Sequence, residues 1–558
     1  MRFLALATDY DGTLASQGAV LPSTLESLER LRATGRKTIL VTGRELGDLK
    51  SVFPRLDLFD RVVAENGALL YRPRTHEEVA LAEPASEELV KRLQARKVEP
   101  LSIGHSIVAT REPHEVEAIS AIRELGLELQ VIFNKGAVMI LPTGVNKQTG
   151  LAAALGELGL SARNTVAVGD AENDHAMLSA CECGVAVANA LESLKDRADL
   201  VTRAARGAGV EELIDRLIED DLRSIVVPRH TTPLGLHSDG TVARMPSQGR
   251  RVLVAGPSSS GKTTCATGIL ERLMDAGYQC CVIDPEGDYE QFEGMLAIGN
   301  PERAPTAEEV LEIMQKPDAN LVVNLLGIPL HDRPGFFASL LPRLQELRSK
   351  TGRPHWIVLD EAHHLLPAAW QPAASTLPRE LGGVLLITVH PEHLSPAMLA
   401  AVDTAIAVGP DHEKTLAPLV GDKEIPSRPL GPDEILVWTT GRLERLQVLP
   451  PKGVHRRHRR KYAAGDVQEK AFVFKGPDGK LSLRAQNLSI FLQMAEGIDE
   501  ETWLHHLRQR DYSKWFRRDI KDEALAEEAE QIERRDDDPQ GSRRRMREAI
   551  EKRYTLPE

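Results

Sequence analysis

The sequence predicts an α/β protein: two parallel-sheet domains in series, then a small, mostly helical module. Three observations carry that reading. Short apolar runs alternate with amphipathic stretches through residues 1–222 and again through 228–450, the alternation of strand and helix in parallel sheets. In both blocks, carboxylates, hydroxyls and glycines stand where the apolar runs end. A chain of 558 residues is also too long for one core and fits three or so domains.

In the first block FLALAT, KTILVT, DRVVAE and TVAVGD read as strands, and LPSTLESLERLRATG and NKQTGLAAALGELG as helices closed by glycine. VPRHTTPLGLHSDGTVARMPSQG, bearing Pro, His and Gly, reads as a boundary. The second block has strands at RVLVAG, CCVID, NLVVNLL, WIVLDE and GVLLITV. A basic, turn-rich linker covers 451–465, and the last block, 466–558, opens with the hairpin-like AFVFKGPDGKLSLRAQN. Charged helices follow. Their tail, RRDDDPQGSRRRMREAIEKR, is expected at the surface or partly disordered.

Composition narrows the classes. Hydrophobic residues at 42% and charged residues at 27% are ordinary for a soluble globular chain, and a net charge of -13 argues against a whole-chain nucleic-acid binder. Apolar runs are strand-sized and end in charges, so no membrane contact is expected. The opening MRFLALATDYDG reaches Asp9 too early for a signal peptide, so the expected location is the cytoplasm. Of five cysteines, Cys181 with Cys183 and Cys280 with Cys281 lack zinc-ligand spacing and read as buried apolar residues.

The strand FLALAT runs into Asp9-Tyr10-Asp11-Gly12-Thr13. Two carboxylates one residue apart at a strand end can divide the labour of phosphoryl transfer. Asp9 can attack phosphorus, while Asp11 can protonate the departing alkoxide and then activate water. Gly12 and Thr13 can offer amides or a hydroxyl to phosphate oxygens. DYDGT alone is also an ordinary turn. Three further pieces follow in chain order: Thr42 in KTILVTGR, Lys147 in GVNKQTG, and Asp170 with Asp174 in TVAVGDAENDHAML. Taken singly, Lys147 is also a plausible solvated helix start and Asp174 a helix N-terminal charge. Together, Asp9 and Asp170 can hold Mg²⁺ through hard oxygens, letting an anionic nucleophile approach an anionic phosphate.

These motifs resemble those of the haloacid dehalogenase-like phosphatases of the Cof-like branch. VVAENGALLY also resembles the segment that leads into that family's cap. The resemblance spans 1–222 and implies a Rossmann-like core with an inserted α+β cap at about 71–141. It further implies that Asp9 is the nucleophile, and that Asp11 is the acid/base with a main-chain carbonyl on Mg²⁺. Thr42, Gly43, Arg44 and Lys147 would face the substrate phosphate, with Asp170 and Asp174 at the metal. A short cap, as in archaeal-type phosphoglycolate phosphatases and sugar-phosphate phosphatases, implies a small phosphorylated metabolite. Lys91, Arg92, Arg96 and Lys97 in that insert read either as a solvated helix face or as attraction for an anionic substrate.

RVLVAGPSSSGKTT fits GxxxxGK[ST], a pattern expected by chance in roughly 2% of chains this long. Gly256, Pro257, Ser258, Ser259, Ser260, Gly261, Lys262, Thr263 and Thr264 would form an ATP-binding loop whose amides point inward at a helix's positive end. Lys262 suits the β- and γ-phosphates and Thr263 the Mg²⁺. WIVLDEAHHLL ends a strand at Asp360 and Glu361: the first can hold Mg²⁺ through water, the second can polarise an attacking water.

With CCVIDPEGDYEQF, this block resembles the HerA/FtsK class of ring-forming ATPases. That resemblance implies homo-oligomers through the ATPase domain, with Arg379 the candidate arginine finger. It departs where the class places Gln after the fourth-strand Thr: Val389 stands there, followed by His390.

The leading reading is a Mg²⁺-dependent phosphomonoesterase fused to an ATP-hydrolysing P-loop domain. One alternative is a DNA-translocating ATPase with a phosphatase for nucleic-acid ends, in which HRRHRRK of the linker touches phosphates; nucleic acid is not favoured. Another is a kinase/phosphatase pair acting on one metabolite. The final block has no assigned chemistry, and adjacent His505 and His506 face different sides of a helix.

Overall fold

The computed structural model describes residues 1–558 except 135, 226, 258–259, 369–381, 421–424, 432, 453–470, 478–480, 521, 536–537 and 555–558. Two compact units emerge: Met1–Gly287 with Glu293–Lys452, and Asp288–Phe292 with Gly453–Glu558.

The chain opens with strands β1 (Ala5–Thr8), β2 (Lys37–Val41) and β3 (Arg61–Ala64), then β4 (Leu69–Arg72) and β5 (Glu77–Ala80). Four strands form a separate sheet, β6 (Ser102–Ile103), β7 (Val108–Arg111), β8 (Leu129–Asn134) and β9 (Ala137–Pro142), before β10 (Thr165–Gly169), β11 (Cys183–Ala186) and β12 (Leu200–Val201) return to the first. The main sheet has order β12-β11-β10-β1-β2-β3-β4-β5, with β12 through β3 parallel and β4 and β5 antiparallel. β1, β10 and β11 are buried along their whole length, which is why they are continuous apolar runs without alternation.

The insert is an α+β lid, but its boundary differs from the expected 71–141. Residues 69–80 extend the main sheet as a hairpin, and the separate sheet, order β6-β7-β9-β8, with helices Glu87–Ala95 and Glu115–Leu125, begins after them. Helix Lys147–Glu157 carries the chain back from it. Asn146 caps this helix by accepting from the amides of Gln148 and Thr149, which fixes Lys147 as its first residue. The helix lies hard against the turn after β3, where a Cβ on Gly150 would stand 2.6 Å from Gly67 Cα.

The stretch expected to be a boundary is a hairpin, β13 (Thr231–Leu236) and β14 (Val242–Pro246), and it belongs to the second sheet through β23. That sheet continues with β15 (Arg251–Ala255), β16 (Cys280–Asp284), β17 (Leu296–Ile298), β18 (Leu321–Asn324), β19 (Trp356–Leu359), β20 (Val384–Thr388), β21 (Thr404–Val408), β22 (Glu434–Thr439) and β23 (Arg442–Val448). Its order is β14-β13-β23-β22-β21-β15-β20-β19-β16-β18-β17, parallel from β21 to β17. Pattern had located five of the parallel strands, β15, β16, β18, β19 and β20, but not β17 or β21. The antiparallel flank escaped because Pro and Gly in VPRHTTPLGL mask its alternation.

The two sheets meet through residues that precede strands. His355, just before β19, shares a hydrogen bond of 3.0 Å with Asn164 Oδ1, just before β10. Tyr278 Oη and Arg2 Nη2 donate to the two oxygens of buried Glu182 at 2.8 and 2.7 Å. Arg163 Nε donates to Ala276 O at 2.8 Å. Every one of these contacts lies at the N-terminal end of a parallel strand.

The C-terminal unit is a short antiparallel pair, β24 (Phe472–Phe474) and β25 (Leu483–Ala485), followed by helices including Leu488–Gly497, Glu500–Gln509 and Pro539–Tyr554. Its core is aromatic: Phe472, Phe474, Phe491, Trp503, Tyr512 and Trp515, with Trp503 and Tyr512 stacked at 4.5 Å. The expected surface tail instead forms helix Pro539–Tyr554, which buries Met546, Ala549 and Ile550. Five arginines obscured that stripe in the sequence. His506 is a packing residue: Nε2 accepts from the Lys475 amide and Nδ1 pairs with Asp511. All five cysteines are buried and free. No helix among the described residues is long and apolar enough to cross a membrane.

Candidate functional site

Adjacent parallel strands β1 and β10 end side by side, and the chain leaves them as Asp9-Tyr10-Asp11 and Asp170-Ala171. Helix Lys147–Glu157 aims its first side chain between them. Lys147 Nζ donates to Asp9 Oδ1 and to Asp174 Oδ1, both at 2.6 Å, and all three groups are buried. Asp174 Oδ2 accepts the amides of Asp170 (2.9 Å) and Ala171 (3.0 Å), which pins the loop after β10. Gly12 is required here: its φ is +85°, and a Cβ would meet Asp170 Oδ2 at 2.2 Å. Thr13 Oγ1 donates to Asp170 Oδ1 at 3.2 Å.

Charge sets the chemistry. Asp9, Asp170 and Asp174 bring oxygens within 4.8 Å of one another, all buried. Burial, against the pull of Lys147 and with Asp174 and Asp170 adding to it, raises the Asp9 carboxyl to about 7. Burial pulls the Lys147 ammonium down, but Asp174 and Asp9 outweigh it and hold it above the ordinary lysine range. One cation thus serves three carboxylates. A hard divalent cation with oxygen ligands fits that deficit, with Asp9 and Asp170 its candidate ligands and Asp174 already engaged by Lys147 and two amides.

Asp11 points the other way, toward the half-exposed mouth, where Arg44 grips both its oxygens at 2.6 and 2.8 Å. Thr42, buried, receives the Arg44 amide at 3.2 Å. The lid reaches the site at Gly43, where a Cβ would stand 3.4 Å from Met139 Sδ of β9. Sequence reasoning missed three residues. Asn189 Nδ2 donates to Gly12 O at 2.8 Å, and Asn173 to Asn66 Oδ1 at 3.0 Å. Buried Glu65 accepts the amides of His105 (2.8 Å), Ser106 (2.8 Å) and Ile107 (3.2 Å), tying the turn after β3 to the lid. An acidic residue beside Asn-Gly in VVAENGALLY was the only available hint. Arg92 and Arg96 are paired with Glu124 and Lys91 with Glu87, which makes them the solvated helix face.

A family profile described as haloacid dehalogenase-like hydrolase matches residues 6–112 and 107–214. Phosphoglycolate phosphatase of Methanosarcina acetivorans is 30% identical over 222 residues, covering 39% of this chain and 97% of that protein. The phosphoglycolate phosphatase of Methanothermobacter thermautotrophicus is 32% identical over 222 residues, 38% of this chain and 98% of that protein. The chain belongs to the haloacid dehalogenase-like hydrolases. Its hydrolase part is the first sheet with its lid, and the Asp9–Lys147–Asp174 cluster lies within the matched residues.

Beyond the hydrolase part, a second group of candidate residues converges at the C-terminal ends of β15, β20, β19 and β16, where ligands of open α/β sheets bind. Gly261 (φ +101°) begins helix Lys262–Asp275, and Gly256 (φ +155°) leaves no room for a side chain, a Cβ meeting Val408 O at 2.0 Å. Lys262 Nζ donates to Pro257 O at 2.8 Å, folded over its own loop. Asp360, buried, directly follows β19, and Glu361 comes next in a left-handed conformation (φ +39°). Asp284 ends β16 and accepts the amides of Glu286 and Gly287 at 3.1 and 2.8 Å. Thr263 is half-buried and Thr264 exposed on the first turn. Ser258, Ser259 and Arg379 lie outside the described residues, as does most of the basic linker.

Proposed function

We propose that residues 1–222 are a Mg²⁺-dependent phosphomonoesterase for a small sugar- or carboxylate-phosphate such as phosphoglycolate. The observation that carries this reading is Lys147 bridging Asp9 and Asp174 beside Asp170, in a cluster short of positive charge. Similarity to phosphoglycolate phosphatases over nearly their whole length supports the substrate class. Asp9 attacks phosphorus, the P–O ester bond breaks, and Asp11 supplies the proton to the leaving alkoxide. Asp11 then takes a proton from water, which attacks the aspartyl-phosphate and frees phosphate and Asp9. Mg²⁺, held by Asp9 and Asp170, would neutralise phosphoryl charge. Lys147 orients Asp9, Asp174 orients Lys147, and Thr42 with the amides after Asp9 receives phosphoryl oxygens. Arg44 releases or follows Asp11 as substrate enters. The lid tied through Glu65 excludes water and a polymer end.

For residues 228–450 we propose ATP hydrolysis. Support comes from Lys262 at the start of the helix after β15 and Asp360 and Glu361 just after β19, all at the C-terminal end of one parallel sheet. ATP would draw Lys262 off Pro257 O, with Thr263 and Asp360 at Mg²⁺ and Glu361 on the water. Residues 466–558 remain a helical module without proposed chemistry. The deciding experiment compares kcat/KM for phosphoglycolate and other small phosphate esters with that for a 3′-phosphorylated oligonucleotide at equal Mg²⁺. The reading expects a clear preference for a small ester; preference for the oligonucleotide would overturn it.

A further inference from the structure

The end of β20 gathers four imidazoles that neither proposed reaction uses. His390, Glu392 and His393 occupy one turn, Pro391–His393 and the residue before it, and their ligand atoms lie within 4.8 Å of one another on the exposed surface. The rings of His390 and His393 stack at 4.8 Å and 28°, with His390 Nδ1 3.2 Å from Glu392 Oε1. His363 stands edge-on to His390 at 5.4 Å and touches His364 at 4.1 Å. His363 Nδ1 shares a hydrogen bond of 3.0 Å with the Thr388 hydroxyl and lies 3.5 Å from Glu361 Oε2.

We propose that His390, Glu392 and His393 form a binding site for a divalent transition metal of the zinc class, separate from either Mg²⁺ site. Two imidazoles and one carboxylate are the donor set such ions take, with water completing a tetrahedron, whereas Mg²⁺ prefers oxygen alone. The turn makes the set local: ligands at the first, third and fourth positions of His390-Pro391-Glu392-His393 need no distant element to close. The site also has a route to chemistry. A metal drawn onto His390 fixes the ring against which His363 packs, and His363 holds Thr388 and flanks Glu361. Occupancy therefore bears on the water-polarising end of the second site. That regulatory role rests on the ATPase reading; metal binding does not.

The test titrates the full chain with Zn²⁺ against a chromophoric chelator in millimolar Mg²⁺. Wild type is expected to bind one equivalent that His390→Gln/His393→Gln loses, its affinity falling at least tenfold. Equal stoichiometry and affinity in both proteins, or loss of the Zn²⁺ to Mg²⁺, would overturn the site. A second measurement follows ATP turnover with and without Zn²⁺. Slowing of fivefold or more in wild type but not in the double variant supports the regulatory role, and equal slowing in both removes it. Wild type that binds the equivalent and hydrolyses no ATP under any condition contradicts the ATPase reading and leaves the metal site standing.

Discussion

The two strand-end sites of this chain hold their lysines differently. Lys147 is locked between two carboxylates at 2.6 Å each, in a buried cluster whose charges interlock before any substrate arrives. Lys262 Nζ donates to a main-chain carbonyl of its own loop, Pro257 O, at 2.8 Å, an acceptor with which an arriving phosphate would compete. The first site is preformed and tolerates little change; the proposed second site is completed when a phosphate draws Lys262 off Pro257 O. The junction sharpens the contrast. Its contacts among the described residues fall at the N-terminal ends of the strands, opposite both sites.

The largest expected effect is at the preformed site. Asp9→Asn keeps shape and removes the nucleophile, and phosphate-ester turnover should fall ~10³-fold or more. Near-normal hydrolysis of p-nitrophenyl phosphate by this variant would end the assignment. At the ligand-completed site, Glu361→Gln should slow ATP hydrolysis ~10²-fold while ATP binding persists. Weakened binding with unchanged turnover would reverse the roles given to Glu361 and Lys262. Gly12→Ala should destabilise the chain by about 1–3 kcal/mol and cripple the phosphatase alone, because a Cβ strikes Asp170. Unchanged Tm would show that the loop yields.

The smallest effect concerns the junction. Burial, with nearby Arg353, Arg348 and Arg163, holds His355 well below the usual histidine pKa, so the folded chain keeps it neutral. The unfolded chain takes up that proton near pH 6.5. Stability from this group is therefore complete above about pH 6.5 and declines below it, by at most about 1.4 kcal/mol per pH unit. Tm should drop from pH 7 to pH 5, and less steeply in His355→Asn. An equal slope in both proteins would place the acid sensitivity elsewhere.

Much of this was legible in the sequence, for physical reasons. β1, β10 and β19 are buried on both faces, so they appear as unbroken apolar runs with their functional carboxylates next in line, and the apolar run of β15 leads into the glycine-rich loop. The hairpin of β13 and β14 was not legible, since its Pro, Gly and charged positions look like a linker until β23, some 200 residues later, supplies the partner. Helix Pro539–Tyr554 hid its apolar stripe among arginines. Glu65 was hinted at only by its place beside Asn-Gly, because its role depends on amides of a lid loop 40 residues away.

The central claim is that one chain carries two separate hydrolytic sites, and one measurement meets it directly: rates of ester and of ATP hydrolysis in Asp9→Asn and in Lys262→Ala. Asp9→Asn should lose ester hydrolysis and keep its ATPase rate within twofold, and Lys262→Ala the reverse. Loss of both activities in either variant would contradict the account.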